Sequence, residues 1–157
     1  MHKTRNDLPK PTRTKMIDLL NARLADAIDL YAQVKQAHWN VKGMQFIALH
    51  ELFDKVAESV EEGVDEIAER AVELGGTANG TLQTVVKRTT LAPYPLNVSA
   101  GKDHVKRIAD ALAAYGRNLR AAIATAAEAG DADTSDLFTE ISRAADKQLW
   151  FVEAHLQ

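Results

Sequence analysis

The sequence predicts an all-α domain, a four-helix bundle with one long crossover between its second and third helices. Three observations point there. Four segments carry apolar residues at alternating steps of three and four, the period of one helix face. Glycines and prolines gather between residues 75 and 100, a stretch that divides the four segments two and two. The composition, 46% hydrophobic and 26% charged with four prolines and 6% aromatic residues, suits a helical globular chain. At 157 residues the chain is one domain, long enough to bury a real core.

Pro9 and Pro11 are expected to delay the first helix, which the periodicity starts near Lys15. Residues 1–15 are then a basic, partly mobile tail, and residues 16–157 form the bundle. Leu20, Leu24, Ala27, Tyr31, Val34 and His38 make the first stripe, predicted to run to about Lys42 and to stop at Gly43. His38 closes that stripe, where a histidine is either a hydrogen-bonded core residue or a ligand. The second helix carries Leu49, Phe53, Val56, Val60, Val64, Ile67, Ala71 and Leu74 and ends at Gly75-Gly76. So short a turn makes the first two helices antiparallel neighbours.

The stretch 75–100 holds Gly75, Gly76, Gly80, Pro93 and Pro95. It is long for a loop in a compact domain and is expected to cross the length of the bundle, with a short helix or turn at Leu82–Arg88. The third long helix carries Val105, Ile108, Leu112, Tyr115, Leu119, Ala122 and Ala126, with Ser99 as its N-cap and Gly130 as its stop. The fourth, capped by Asp133 or Thr134, carries Phe138, Ile141, Ala145, Leu149, Val152 and Leu156. Four long helices with the crossover in the middle is the ferritin-like bundle order.

Several function classes are excluded. The chain has no cysteine, so disulfides, thiolate metal sites and a cysteine nucleophile are absent. No apolar run approaches the ~18 residues that span a membrane. The N-terminal residues lack the apolar core of a secretory leader, and the expected location is the cytoplasm. Net charge is -3, but unevenly spread. Lys3, Arg5, Lys10, Arg13 and Lys15 against Asp7 give the first fifteen residues +4, leaving -7 on the rest. A basic arm on an acidic body is a candidate contact for nucleic acid and also an ordinary solubilising terminus.

Candidate chemistry concentrates between His38 and Glu69. With His50 as origin and about 100° per residue, Asp54 lies near 40°, Glu61 near 20°, Asp65 near 60° and Glu69 near 100°. This stripe sits roughly 130° around the second helix from its core stripe. It falls into two i,i+4 pairs, His50/Asp54 and Asp65/Glu69, whose centres are about 22 Å apart along the helix. One helix cannot close both around one ion. Two copies packed antiparallel about a two-fold axis near Ser59 and Val60 would bring each pair to the other, giving two equivalent sites roughly 20 Å apart. His38 could add a last ligand. Two histidines and three carboxylates suit Fe(II), with Mn(II) or Zn(II) as substitutes, better than Mg or Ca. A solvated acidic face paired with Arg70 or Lys55 would show similar spacing.

AHWNVKG at residues 37–43, LHELFD at 49–54, VDEIAER at 64–70 and LWFVEAHL at 149–156 give the chain a near full-length resemblance to the DNA-protection-during-starvation (Dps) family, the miniferritins. The resemblance implies a hollow homododecamer built from two-fold dimers. It implies a site for two iron ions at each end of the dimer interface, with His38, His50 and Asp54 from one subunit and Asp65 and Glu69 from its mate. The implied reaction is oxidation of Fe(II), preferably by hydrogen peroxide, with ferric mineral stored inside. Trp39 matches a family tryptophan beside the site, either an electron donor to stray oxidant or an interface residue. Asp133 and Asp136 would line acidic three-fold pores, unless they serve only to cap the last helix. The basic tail could hold DNA non-specifically, placing the shell at the nucleoid. The alternative function is a DNA-compacting scaffold in which metal is secondary.

Overall fold

The computed structural model describes all 157 residues. The long helices are α1 (Lys10–Asn40), α2 (Phe46–Glu73), α4 (Gly101–Glu128) and α5 (Ala132–Glu153); α3 (Leu82–Arg88) interrupts the crossover. A 3-10 turn, Ala154–Leu156, follows α5. There is no strand, only one isolated bridge between Lys42 and Ala100. The expected all-α ferritin-like bundle is therefore the fold, short crossover helix included. α1 packs most closely on α2 and α4 on α5, while α1–α4 and α2–α5 contacts close the bundle.

The core follows the predicted stripes. Leu20, Leu24, Ala27 and Val34 of α1 meet Leu49, Phe53, Val56, Val60 and Ile67 of α2. Val105, Ile108, Leu112, Tyr115 and Leu119 of α4 and Phe138, Ile141, Ala145 and Val152 of α5 complete it. α1–α2 ends are set by chain geometry. Gly43 (φ 108°) and Gly75 (φ 91°) sit in the left-handed region that glycine enters without strain. A Cβ on Gly76 would lie 2.6 Å from Ile17 and 2.7 Å from the Ala71 carbonyl oxygen, so the chain turns here only because that atom is missing.

Three boundaries differ from the sequence reading. α1 begins at Lys10, not Lys15, because Pro11 occupies the first helical turn, where its missing N–H has no partner to lose. The N-cap of α4 is Ala100, not Ser99, and makes no side-chain bond. The cap of α5 is Asp131, not Asp133 or Thr134: its carboxylate accepts from the Thr134 N–H at 3.0 Å and from the Thr134 hydroxyl at 2.6 Å.

Side chains of α1 tie the crossover down, Asn21 at Thr77 and Asn79, Asp29 at Thr89, Gln33 at Ala92 and, most buried, Asp26. Asp26, fully buried on α1, accepts from the Thr90 N–H (2.7 Å), the Thr90 hydroxyl (3.0 Å) and the Asn118 amide (3.1 Å), and pairs with Arg23 at 3.0 Å. One side chain thus joins α1, the crossover and α4. Asp26→Ala leaves Arg23, 13% exposed, without its counter-charge, and should destabilise the fold by about 3 kcal/mol. Chemical denaturation at fixed protein concentration measures this; an unchanged midpoint would remove Asp26 from the role.

Candidate metal centre

The end of α1 and the start of α2 bring His38, His50 and Asp54 together. The imidazoles of His38 and His50 stack with centroids 3.7 Å apart and planes 22° from parallel. Each ring is held by the other's backbone. His38 Nδ1 donates to the His50 carbonyl at 2.8 Å, and His50 Nδ1 donates to the His38 carbonyl at 2.9 Å. A carbonyl oxygen only accepts, so both Nδ1 atoms carry the hydrogen. In the neutral ring this leaves the lone pair on Nε2, the tautomer a metal ligand needs.

Asp54 stands beside this pair, its Oδ1 3.9 Å from His38 Nδ1. Its nearer partner is Lys35, whose Nζ lies 2.6 Å from the same oxygen. That hydrogen bond is the main cause holding the Asp54 carboxyl below its ordinary pKa; partial burial opposes it, and the Lys35 charge and the two histidines assist it. Lys35 did not figure in the sequence reading. Its signal was available: it precedes His38 by three residues and so shares its side of α1. Trp39, 66% exposed, points away from the core, with Lys35 Nζ 6.0 Å from its ring centre.

Asp65 and Glu69 lie on the same side of α2 but farther along it, both exposed. No three His, Asp or Glu side chains of one chain converge closely enough to hold a metal ion. The five sequence candidates are thus divided as the helix geometry requires: His38, His50 and Asp54 together, Asp65 and Glu69 apart from them. The donor types suit a transition metal, two imidazoles able to present Nε2 with one carboxylate, Asp54, beside them.

Behind Glu69, Arg70 fixes the end of α2. Its guanidinium donates to Thr134 at 3.0 Å, Asp131 at 3.0 Å and Glu73 at 3.1 Å. Asp133 is 85% exposed and stands 3.8 Å from Arg70, so part of its charge is already balanced. Asp136 lines a shallow concavity at the α4–α5 turn with Ala127, Gly130 and Thr139. Elsewhere on α2, burial first, then Glu140, Glu62 and Asp65, raise the Glu66 carboxyl above its usual pKa.

The basic N-terminal residues are laid along the body. The His2 N–H donates to the Gly75 carbonyl at 2.8 Å, and Arg13 donates to the Leu8 and Leu74 carbonyls, each at 3.1 Å. Arg13 is thereby a structural cation. Lys3, Arg5, Lys10 and Lys15 remain exposed.

A family model described as the ferritin-like domain matches residues 17–157. The DNA protection during starvation protein of Agrobacterium fabrum is 47% identical over 156 residues, covering 99% of this chain and 96% of that protein. The chain belongs to the Dps family of ferritin-like proteins. DpsC from Streptomyces coelicolor superposes with a TM-score of 0.94 at 34% identity, over 99% of this chain and 91% of that one. Dps from Microbacterium arborescens in its high iron form gives a TM-score of 0.87 at 33% identity, over 98% and 97% of the two chains. No helix of this Dps chain is long and apolar enough to cross a membrane.

The Lys35–Asp54 contact has a direct test. Lys35→Met removes the largest cause of the depressed Asp54 pKa, so the carboxyl should protonate at a higher pH than in the parent. Carboxyl-carbon NMR titration in the metal-free protein reads the shift; an unmoved Asp54 would mean the contact does not persist in solution.

Proposed function

We propose that this Dps protein is a ferroxidase and iron-storage protein that oxidises Fe(II) at sites shared between two subunits and holds the ferric product inside a dodecameric shell. The observation that carries this is the locked histidine pair. Two rings whose Nδ1 atoms are fixed on carbonyls offer two Nε2 lone pairs beside an aspartate, at one end of a helix whose other end carries two free carboxylates. A core histidine pair would not need its coordinating nitrogens left open. The relative crystallised in a high iron form supports the choice of metal.

Fe(II) is the substrate. His38, His50 and Asp54 of one subunit and Asp65 and Glu69 of its mate would hold up to two ions per site, and Zn(II) or Mn(II) could occupy it as redox-inert or slower substitutes. Hydrogen peroxide is the preferred oxidant in this reading, with oxygen as the second. Two Fe(II) ions each give one electron to one peroxide, its O–O bond breaks, and both oxygens leave as water or hydroxide. Paired electron transfer avoids the hydroxyl radical that a single transfer releases. That is how DNA is protected without being touched. Lys35 already neutralises Asp54, so one ion should bind each site more tightly than the second. Trp39, exposed beside the site, is placed to donate an electron to stray oxidant or to pack against the mate. Asp136, and Asp133 less, would draw Fe(II) towards pores at the α4–α5 turns.

A second reading, a DNA-compacting scaffold in the cytoplasm, is favoured by the basic N-terminal residues and by the name of the Agrobacterium relative. Lys3, Arg5, Lys10 and Lys15 would make the contacts, multiplied by copy number. The docked course of residues 2–8 works against it. So does α2, which carries nine acidic and two basic side chains.

Changing His38, His50 and Asp65 together to Ala should slow peroxide-driven Fe(II) oxidation on the order of a hundredfold. The variant should keep its assembled mass. Oxidation at the parent rate would refute the site assignment.

For DNA, Lys3→Gln, Arg5→Gln and Lys10→Gln leave α1 intact. If the tail binds DNA, the triple variant should lose its mobility shift at low salt and flatten the salt dependence. Binding indifferent to both would defeat the tail reading.

A further inference from the structure

Two large apolar side chains are exposed on the ligand-bearing side of α2. Ile47 is 60% exposed and Val72 44% exposed, although both lie on a well-packed helix. With His50 at zero, Ile47 falls near 60° and Val72 near 40°, within the arc that holds Asp54 and Asp65. They flank the ligands: Ile47 stands one turn before His50, and Val72 one turn after Glu69.

Their positions match one symmetry. In an antiparallel pairing centred midway between Ser59 and Val60, His50 meets Glu69 of the partner subunit, and Asp54 meets the partner's Asp65. The same centre pairs Ile47 with Val72 of the partner subunit. It is also the midpoint of α2 itself, which runs Phe46–Glu73. The surface around Val72 is concave, lined by Ala68, Ala78 and the docked residues His2, Lys3 and Thr4, with Glu69 on its edge. Ala68, Val72 and Ala78 are its apolar members, with Glu73 beside the candidate ligand Glu69.

We propose that Ile47 and Val72 set the register of the two-fold contact, each Ile47 seating in the Val72 concavity of a second copy of this chain. This rests on the shared-site reading, since it takes its axis from the two half-sites. A second copy is the occupant because only it presents an apolar residue at the spacing that also delivers His50 and Asp54 to Glu69 and Asp65. The ligands themselves cannot set the register before metal arrives. Asp54, already paired with Lys35, faces another aspartate, and Glu58 faces the partner's Glu61, so no complementary charge pair fixes the alignment along the axis. The apolar contacts at the two ends select the alignment that the metal then completes. The N-terminal residues, as one wall of the concavity, become part of the subunit contact.

The chain has no cysteine, so introduced thiols are the only ones present. The Ile47→Cys/Val72→Cys double variant, treated with a short bis-maleimide, should shift from one-chain to two-chain mass on a denaturing gel. Each single variant should stay at one-chain mass, because like positions lie ~37 Å apart across this pairing. Cross-linking of Ile47→Cys/Ala68→Cys in preference to the first pair would place the register one turn away and overturn the proposal. Val72→Asp supplies a second measurement: helix content by circular dichroism should be retained while the assembled mass falls. A Val72→Asp protein that assembles like the parent would also overturn it. Zn(II) calorimetry on the cross-linked dimer separates this proposal from the functional one. Cross-linking without Zn(II) uptake keeps the register and removes the shared site. Zn(II) uptake lost on Asp65→Ala, with no cross-link at 47 and 72, keeps the shared site and removes the register.

Discussion

Along a straight α-helix, residues fifteen positions apart stay roughly 22 Å apart, whatever their chemistry. That rigidity governs the layout of this protein. His50/Asp54 and Asp65/Glu69 share one side of α2 and cannot approach one another. The fold adds His38 to the first pair; His2 and Glu73 share a surface concavity with Glu69, but no three such side chains converge there. In the proposed shared-site reading, each end of this one helix would carry half of a coordination sphere. Both ends of α2 are fixed by contacts to other elements. Arg70 clamps one end to the cap of α5, and the α1–α2 turn clamps the other.

The clamp at the α1–α2 turn is more than packing. Two imidazoles hydrogen-bonded to each other's carbonyls can form only where two antiparallel helix ends meet in one register. The chain reverses through Gly43 with φ 108°, and α2 starts three residues later. The backbone of each helix thus orients the ligand of the other. Ordinarily a ligating histidine borrows a carboxylate or carbonyl from the surrounding fold. Here the two histidines support each other reciprocally. A change that shifts α1 against α2 disturbs both rings at once, which makes the turn as much a part of the site as the rings.

Much of this was legible in sequence, for reasons that differ by feature. The helices were readable because apolar side chains at steps of three and four have no other common explanation. The separation of the ligands into two groups was readable because helix geometry is rigid. Termini were harder. Pro11 reads as an obstacle to a helix and is in fact its opening turn, since proline is excluded only where an N–H is needed. Asp131 was passed over as a cap although its cap bond reaches only to Thr134, three residues on, because Asp133 and Thr134 in the same GDADT stretch are cap residues too; only its Arg70 contact comes from a distant helix. Lys35 was visible by spacing yet carried no meaning until the α1–α2 turn placed Asp54 within 2.6 Å of it. Side-chain partners across elements are fixed by packing, and packing has no short-range signature.

Charge adds a last constraint. Helix α2 carries nine acidic and two basic side chains, while the chain as a whole carries only -3. The remainder of the molecule is thus net positive, and the net acidic excess lies on the helix that bears the candidate ligands. Such a helix concentrates divalent cations along its surface, in a manner that salt would screen over about 10 Å at ordinary ionic strength. The same charge resists bringing two α2 helices together. In the proposed dimer these effects oppose each other across the axis, where Glu58 and Glu61 cross. Each bound cation relieves repulsion as it completes a site. Association and metal uptake would then be linked, each strengthening the other. In that dimer Lys35 would moderate the linkage: by pairing with Asp54 beforehand, it would let the empty interface form and leave less for the second cation to gain.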